Sequence, residues 1–252
     1  EQRIKDELLK ASKLDSLGVL AGGIAHDFNN LLTVIVGNIA LLKMIRENDA
    51  EAVSLLTEAE KASFQAKGLT QQLLTFARGG TPIKVPVDID QFVAGSVNFA
   101  LSGSNVRSKI HKPEKLWPVL ADIGQLNQVA NNLFINAIQA MPNGGTIRVS
   151  GENIVLDDEE ITTLPAGRYV RLSVADEGDG IPEEILSRIF DPYFTTKPTG
   201  SGLGLATSYS IIRKHHGCIL VDSQEGIGTT FHVYLPACDL KKFHSDESQF
   251  VL

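Results

Sequence analysis

The chain has 252 residues, with 30 acidic against 23 basic side chains and a formal net charge of -7, a size that allows one large or two modest domains a buried core. No dense basic stripe offsets that acidity, which excludes nucleic acid as the main partner. Cys218 and Cys238 are the only cysteines and lack metal-type spacing, and no apolar run reaches the roughly 18 residues of a bilayer span. The expectations are no disulfide framework, no zinc site, no membrane contact in this piece, and a reducing cytoplasm.

The first 45 residues carry helical spacing. Ile4, Leu8 and Leu14 are already in pattern at the start and there is no initiating methionine, so a piece of something longer is expected. Leu17, Ala21, Ile24, Phe28, Leu31 and Ile35 recur in alternating steps of four and three, the spacing of a bundle seam. His26 is rotated roughly 200° from both Ile24 and Phe28, so its ring is expected to face solvent. Asp27 is within rotamer reach of a ring nitrogen. A hydrogen bond to Nδ1 fixes the tautomer and leaves Nε2 as a nucleophile. Asn30 follows one turn later on the same face, where its amide can position a water. Gly18, Gly22 and Gly23 each cost this helix about 1 kcal/mol relative to Ala, which points to close helix approach or local bending before His26.

A break at Glu47-Asn48-Asp49 leads to a second run, Leu55, Ala59, Ala62, Ala66, Leu69, Leu73 and Phe76, which Gly79-Gly80 and Pro82 stop. Residues 1–80 therefore read as an antiparallel helical hairpin. Such a hairpin leaves one side of its seam uncovered, and two copies close it into a four-helix bundle, so a homodimer is expected.

After Pro82 the pattern mixes strand and helix. Strand-like runs lie at Ile83–Val87, Trp117–Ala121, Thr146–Ser150, Tyr169–Ala175, Cys218–Val221 and Thr229–Leu235; helical runs lie at Asp90–Leu101, Ile123–Met141, Glu183–Ile189 and Leu203–His215. That order predicts one sheet covered by helices on a single face, a two-layer α/β sandwich within residues 81–252 with its core at about 83–238. The fold class is thus α+β.

Four segments of this half carry residues that disfavour regular structure. The helix holding Asn127, Asn131, Asn132 and Asn136 has more asparagine than a helix interior favours. Asn132 and Asn136 share a face; they are either exposed amides or a site where a neutral oxygen meets Mg²⁺ beside a polyphosphate. Val174 to Pro182 runs from a strand into the glycine turn Asp176-Glu177-Gly178-Asp179-Gly180-Ile181. Asp176 can accept an adenine amine there, while Gly178 and Gly180 let the backbone pass close to a base. The loop lacks the terminal Glu of a calcium site.

Phe190-Asp191-Pro192-Tyr193-Phe194-Thr195-Thr196-Lys197 then reads as a lid, and Gly200-Ser201-Gly202-Leu203-Gly204-Leu205 opens a helix whose free N–H groups suit phosphate. Lys197 is either a solvated lid lysine or a partner of the terminal phosphates. Gly226-Ile227-Gly228-Thr229 enters the last strand. None of these glycine runs is a Walker loop, because no Gly-Lys-Ser/Thr follows.

His-Asp-Phe-Asn-Asn from His26, Asn-Asn-Leu-Phe-Ile-Asn-Ala from Asn131, Asp-Glu-Gly-Asp-Gly from Asp176, Phe-Asp-Pro-Tyr-Phe-Thr-Thr-Lys from Phe190 and Gly-Ser-Gly-Leu-Gly-Leu from Gly200 stand in that order. In this order the motifs resemble the cytoplasmic core of bacterial two-component sensor histidine kinases, over about residues 10 to 238. The resemblance implies a dimerisation and phosphotransfer hairpin followed by a catalytic domain of the Bergerat ATP-binding fold. It implies His26 as phosphoacceptor, Asp27 as its base, Asn30 as a phosphatase-type amide, and Asn132 and Asn136 as the asparagine box, with Asn136 on Mg²⁺. It further implies Asp176 as adenine ligand and Gly200, Gly202 and Gly204 as lid glycines. With them, Gly178, Gly180, Ile181, Phe190, Phe194, Thr196, Lys197, Ser201, Leu203, Leu205 and Thr229 complete the expected ATP-binding set. Gln139 and Met141 depart from the basic and aromatic residues that many relatives carry after the box.

The implied reaction is autophosphorylation of His26 from ATP, followed by transfer to an aspartate of a response-regulator receiver domain and, through Asn30, its dephosphorylation. Two other readings differ in class. One is a Bergerat-fold ATPase that drives conformational change without phosphohistidine; the other is a dimeric scaffold that acts mainly as the regulator's phosphatase. His111, His215, His216, His232 and His244 lack a neighbourhood like that of His26 and read as structural or surface residues.

Overall fold

The computed structural model describes residues 30–46, 49–60, 63, 66, 82–101, 104–112, 114–157, 161, 163–197 and 200–238. They fall into two compact units. One contains the described residues of 1–80 and of 195–203, the other those of 81–194 and of 204–252.

The first unit contains α1 (residues 30–45) and α2 (residues 50–60). Asp49 joins them: its N–H donates to the Arg46 carbonyl at 3.0 Å, and its Oδ1 accepts the Ala52 N–H at 3.0 Å. That side chain caps the first turn of α2, a contact worth about 1 kcal/mol. So short a connection turns the chain back on itself as an antiparallel hairpin. Lys43 Nζ reaches Glu60 Oε2 at 2.8 Å.

The buried side chains of α1 are Leu32 and Ile39, whereas Leu31 and Ile35 stay exposed at 61% and 47%. Leu31 and Ile35, expected on a bundle seam, are thus uncovered in the single chain. The helix carries two neighbouring apolar stripes, roughly 100° apart. The one that packs within the chain runs through Leu32 and Ile39, while Leu31, Ile35 and Leu42 form the uncovered one.

In the second unit the elements are β1 (Val85–Val87), α3 (Ile89–Leu101), β2 (Val106–His111), β3 (Val119–Ala121), α4 (Ile123–Ala140), β4 (Gly145–Leu156), β5 (Gly167–Ala175), α5 (Glu183–Leu186), α6 (Gly204–Lys214), β6 (Cys218–Gln224) and β7 (Gly228–Pro236). The main sheet has the order β2-β4-β5-β7-β6. Only β2 and β4 pair in parallel; the other neighbours are antiparallel.

One core joins this sheet to the helices. Val170, Leu172 and Val174 of β5 and Phe231, Val233 and Leu235 of β7 share it with Val97 of α3, Leu126, Val129 and Leu133 of α4, and Ile211 and Ile212 of α6. Alternation along β5 and β7 sends the intervening residues to the opposite face. There Arg171 pairs with Glu152, and Ser173 meets His232. A small second cluster, Leu156, Leu164, Tyr169, Cys218 and Tyr234, covers part of that face.

The two-layer α/β sandwich holds, but three details of its strands differ from expectation. β1 and β3 pair with each other as a separate two-stranded ribbon rather than joining the main sheet. The edge strand β2 also escapes the pattern, because Arg107, Ser108, Lys109, Ile110 and His111 are all exposed and only Val106 is buried. An edge strand lined with charge resists pairing with other chains, and that same composition hides it from hydrophobic periodicity. β4 extends beyond the expected Ser150 to Leu156 for a similar reason: Glu152 and Asn153 serve as polar partners, to Arg171 and to the Trp117 N–H.

Candidate functional site

Asn132 is half-buried on α4. Its Nδ2 donates to the Gly204 carbonyl at 2.9 Å and approaches Ser208 Oγ at 3.2 Å, while Ser208 Oγ donates to the same carbonyl at 2.9 Å. The amide thus tethers the first turn of α6 to α4. Asn136, one turn further along α4, is half-buried, whereas Asn127 is exposed and contacts Ser96 Oγ at 3.3 Å. Gln139, too, is exposed.

The turn after β5 is built around a carboxylate. Asp176 is 8% exposed, and its Oδ1 accepts the N–H groups of Gly178 at 2.9 Å and Thr229 at 3.2 Å. Its own N–H donates to the Thr229 carbonyl at 2.9 Å. Two N–H donors on one carboxylate oxygen fix its direction.

Gly178 lies so close to the end of α4 that an added Cβ would stand 2.5 Å from Ala140 Cβ and 2.6 Å from the Ala140 carbonyl oxygen. Gly180 has φ +71, and a Cβ there would meet the Gln224 carbonyl oxygen at 2.1 Å. Both positions exclude a side chain, so their glycines serve chain packing as well as any approach by a base. Ile181 donates its N–H to Ser223 Oγ at 2.8 Å.

Beyond α5, the Phe190 ring lies 5.6 Å from that of Tyr209 on α6, and the Arg188 guanidinium sits 4.5 Å over the Phe194 ring. Tyr193 between them has φ 63. In the first unit, the Lys197 N–H donates to Thr195 Oγ1 at 3.1 Å and the Gly200 N–H to the Lys197 carbonyl at 3.2 Å, which folds this stretch into a turn. Thr196 is exposed there, Gly202 has φ 67, and the Leu203 N–H reaches Ser201 Oγ at 3.4 Å. Gly204 starts α6, and Leu205 packs on the core.

His26 and Asp27 lie outside the described residues. Asn30 is exposed in α1. Within the second unit, the expected residues Asn132, Gly204, Asp176, Gly178, Gly180, Ile181 and Thr229 are linked by α4, α6 and the adjoining strand ends. Ser208 and Ser223 were not expected, although each sets the position of an expected residue. Neither lies in a glycine or asparagine motif, and serine on a helix or an end strand gives no periodic signal.

The class follows from this geometry together with the family matches. Residues 16–82 match the His Kinase A (phospho-acceptor) domain, and residues 121–239 match the histidine kinase-, DNA gyrase B-, and HSP90-like ATPase family. The chain belongs to the sensor histidine kinases and comprises their kinase core.

Among its relatives, the sensor kinase CckA of Brucella abortus is 39% identical over 244 residues, covering 94% of this chain and 26% of that protein. Sporulation kinase E of Bacillus subtilis is 34% identical, covering 93% and 30%, and sensor histidine kinase ZraS of Escherichia coli K12 is 35% identical, covering 93% and 49%. The chain thus spans about a quarter to a half of these relatives. The mycobacterial sensor histidine kinase MprB is similar at TM-score 0.51 and 26% identity, over 62% of this chain and 98% of that one. Full-length ShkA, solved in complex with AMPPNP, shares the fold at TM-score 0.71 and 24% identity, over 87% of this chain and 46% of that one.

Proposed function

We propose that this chain binds ATP, transfers its γ-phosphoryl group to His26, and passes that group to an aspartate on a response-regulator receiver domain in the cytoplasm. The observation that carries the reading is Asp176: a buried carboxylate held by two backbone N–H groups at the end of β5, inside the region that matches an ATPase family.

Asp176 accepts the exocyclic amine of adenine, with Gly178, Gly180, Ile181 and Thr229 shaping the wall around it. Phe190, Phe194, Thr196 and Lys197 belong to the lid, and Gly200 to Leu205 lead into the first turn of α6, where the positive end of the helix favours phosphate. Asn132 keeps that turn in position. Among the described residues no group of three or more His, Cys, Asp or Glu side chains can hold a metal ion. A neutral amide oxygen suits Mg²⁺ beside a polyphosphate, and Asn136 is the residue that would hold the ion there. Bound Mg²⁺ would offset the charge developing on the phosphates.

In the transfer, the lone pair of His26 Nε2 forms a bond to the γ-phosphorus as the bond to the bridging oxygen breaks, and ADP leaves. Asp27 holds the Nδ1 proton and balances the imidazolium. Asn30 orients the water that hydrolyses the regulator's phosphoaspartate. The uncovered stripe of Leu31, Ile35 and Leu42 is where a second copy completes a four-helix bundle.

The test is labelling from γ-labelled ATP. Wild-type protein is expected to form an acid-labile, base-stable phosphoamidate, and His26→Gln to lose it while still binding ADP by calorimetry. Undiminished labelling of His26→Gln moves the acceptor elsewhere.

A further inference from the structure

Ser223 lies on β6, outside the motifs that mark the nucleotide region, yet it ends a row of three polar side chains crossing the sheet. β7 separates β5 from β6; Asp176 directly follows the Ala175↔Thr230 pair, and Thr229 is paired with Ser223. Thr229, 5% exposed, therefore stands between Asp176 and Ser223. All three extend the strand faces that carry Val174, Phe231 and Val221 toward the helices.

The hydroxyl of Ser223 has three partners: the Ile181 N–H at 2.8 Å, the Gly228 carbonyl oxygen at 3.1 Å and Thr229 Oγ1 at 2.8 Å. A serine hydroxyl has one proton and two lone pairs. The Ile181 N–H can only donate, so it takes one lone pair. The Gly228 carbonyl can only accept, so it takes the proton. The contact with Thr229 must then use the threonine's proton and the last lone pair of Ser223. Thr229 Oγ1 is thereby left as an acceptor, next to a carboxylate that is also an acceptor.

We propose that Ser223 is a specificity-determining positioning residue that, by holding the Thr229 proton, makes the pocket beside Asp176 take adenine and refuse guanine. The proposal rests on the assignment of that pocket to a nucleotide. The 6-amino group of adenine offers two protons to a pair of acceptors. The 6-oxo group of guanine offers only lone pairs and leaves both acceptors facing a third. Sites of this kind discriminate strongly, because the wrong ligand strands buried polar groups. Without the serine oxygen the threonine hydroxyl is free to turn its proton toward a carbonyl, and the rejection relaxes.

The experiment measures ADP and GDP affinities by calorimetry for the wild-type chain, Ser223→Ala, Ser223→Thr and Thr229→Val, with thermal melting as the check on folding. The wild type is expected to prefer ADP. Ser223→Ala should narrow the ADP-to-GDP ratio by about tenfold or more, the effect of one buried hydrogen bond. Ser223→Thr retains a hydroxyl and should restore the preference. Thr229→Val removes the acceptor directly and should narrow the ratio as well, which keeps the test open if Ser223→Ala does not fold. A folded Ser223→Ala or Thr229→Val with a wild-type ratio overturns the role of Ser223 and leaves the nucleotide site standing. A wild-type chain that binds neither nucleotide overturns both.

Discussion

Asn132 Nδ2 lies 2.9 Å from the carbonyl oxygen of Gly204, so the middle of one helix holds the first residue of another, 72 positions away in the chain. That carbonyl also accepts from Ser208 Oγ at 2.9 Å, so Asn132→Ala leaves it partnered. The expected loss is about 1 kcal/mol by urea unfolding. Asn132→Asp turns the donor into an acceptor facing a carbonyl and should cost more than the alanine variant, with a larger drop in ADP affinity. Equal stability of the two variants would show that the amide proton does not hold α6.

Two glycines of the second unit should respond differently to one methyl group. At Gly178 the new Cβ meets Ala140 backbone and side-chain atoms at 2.5 to 2.9 Å, whereas Gly226, with φ +76, has no atom within 4 Å of that position. Gly178→Ala is expected to lose about 1–3 kcal/mol or more through overpacking and to weaken ADP binding by shifting the Asp176 turn. Gly226→Ala should lose about 1–2 kcal/mol from its left-handed backbone alone. Chemical denaturation with ADP titration separates the two, since only Gly178→Ala should change affinity.

Acid should destabilise the second unit through His215. Its ring is 2% exposed; Nε2 accepts the Asp122 N–H at 2.9 Å and Nδ1 donates to the Ile211 carbonyl at 2.8 Å. Burial, first of all, pushes the imidazole below its ordinary value, and nearby Lys84 and His216 add to the effect. A proton on Nε2 would set two N–H groups against each other. The unfolded chain, with a histidine pKa of about 6.5, binds the proton more readily than the folded one. Stability is therefore full above about pH 6.5 and declines as pH falls toward the lower folded value. Melting temperature followed from pH 8 to pH 5 should drop less steeply for His215→Gln than for wild type, although that variant should melt lower at pH 8.

The stripe on α1 sets a fourth expectation. Leu31, Ile35 and Leu42 are 61%, 47% and 46% exposed in the single chain. If they form the dimer seam, Ile35→Glu with Leu42→Glu should yield a monomer in sedimentation velocity, because two desolvated carboxylates in an apolar seam are strongly disfavoured. Leu32 and Ile39, already buried, would instead lower helix stability when replaced by Ala. A dimer that persists in the double glutamate variant would assign the contact to another surface.

Periodicity and punctuation made much of the architecture readable. The helical spacing of Ile123 to Met141, the alternation of Tyr169 to Ala175 and Thr229 to Leu235, and the glycine turn at Gly226 are local properties of the chain. They located α4, β5 and β7 to within a residue or two. The chemistry was also partly legible, since asparagines in a helix and an aspartate before a glycine turn are costly without a purpose. The edge strand β2 was not, because its exposed residues carry no hydrophobic period. Nor was the packed stripe of α1, because two stripes of equal apolarity differ only in what each meets.

By itself, then, the order of residues determined most of the element types and their order, since those depend on backbone preference and neighbours a few positions away. Tertiary structure alone decided that Asn132 grips Gly204, that Gly178 abuts Ala140, and that Ser223 and Thr229 continue the line begun by Asp176. Each of these is a contact between strands or helices distant in sequence. Its geometry depends on sheet register and helix packing, which only long-range burial selects.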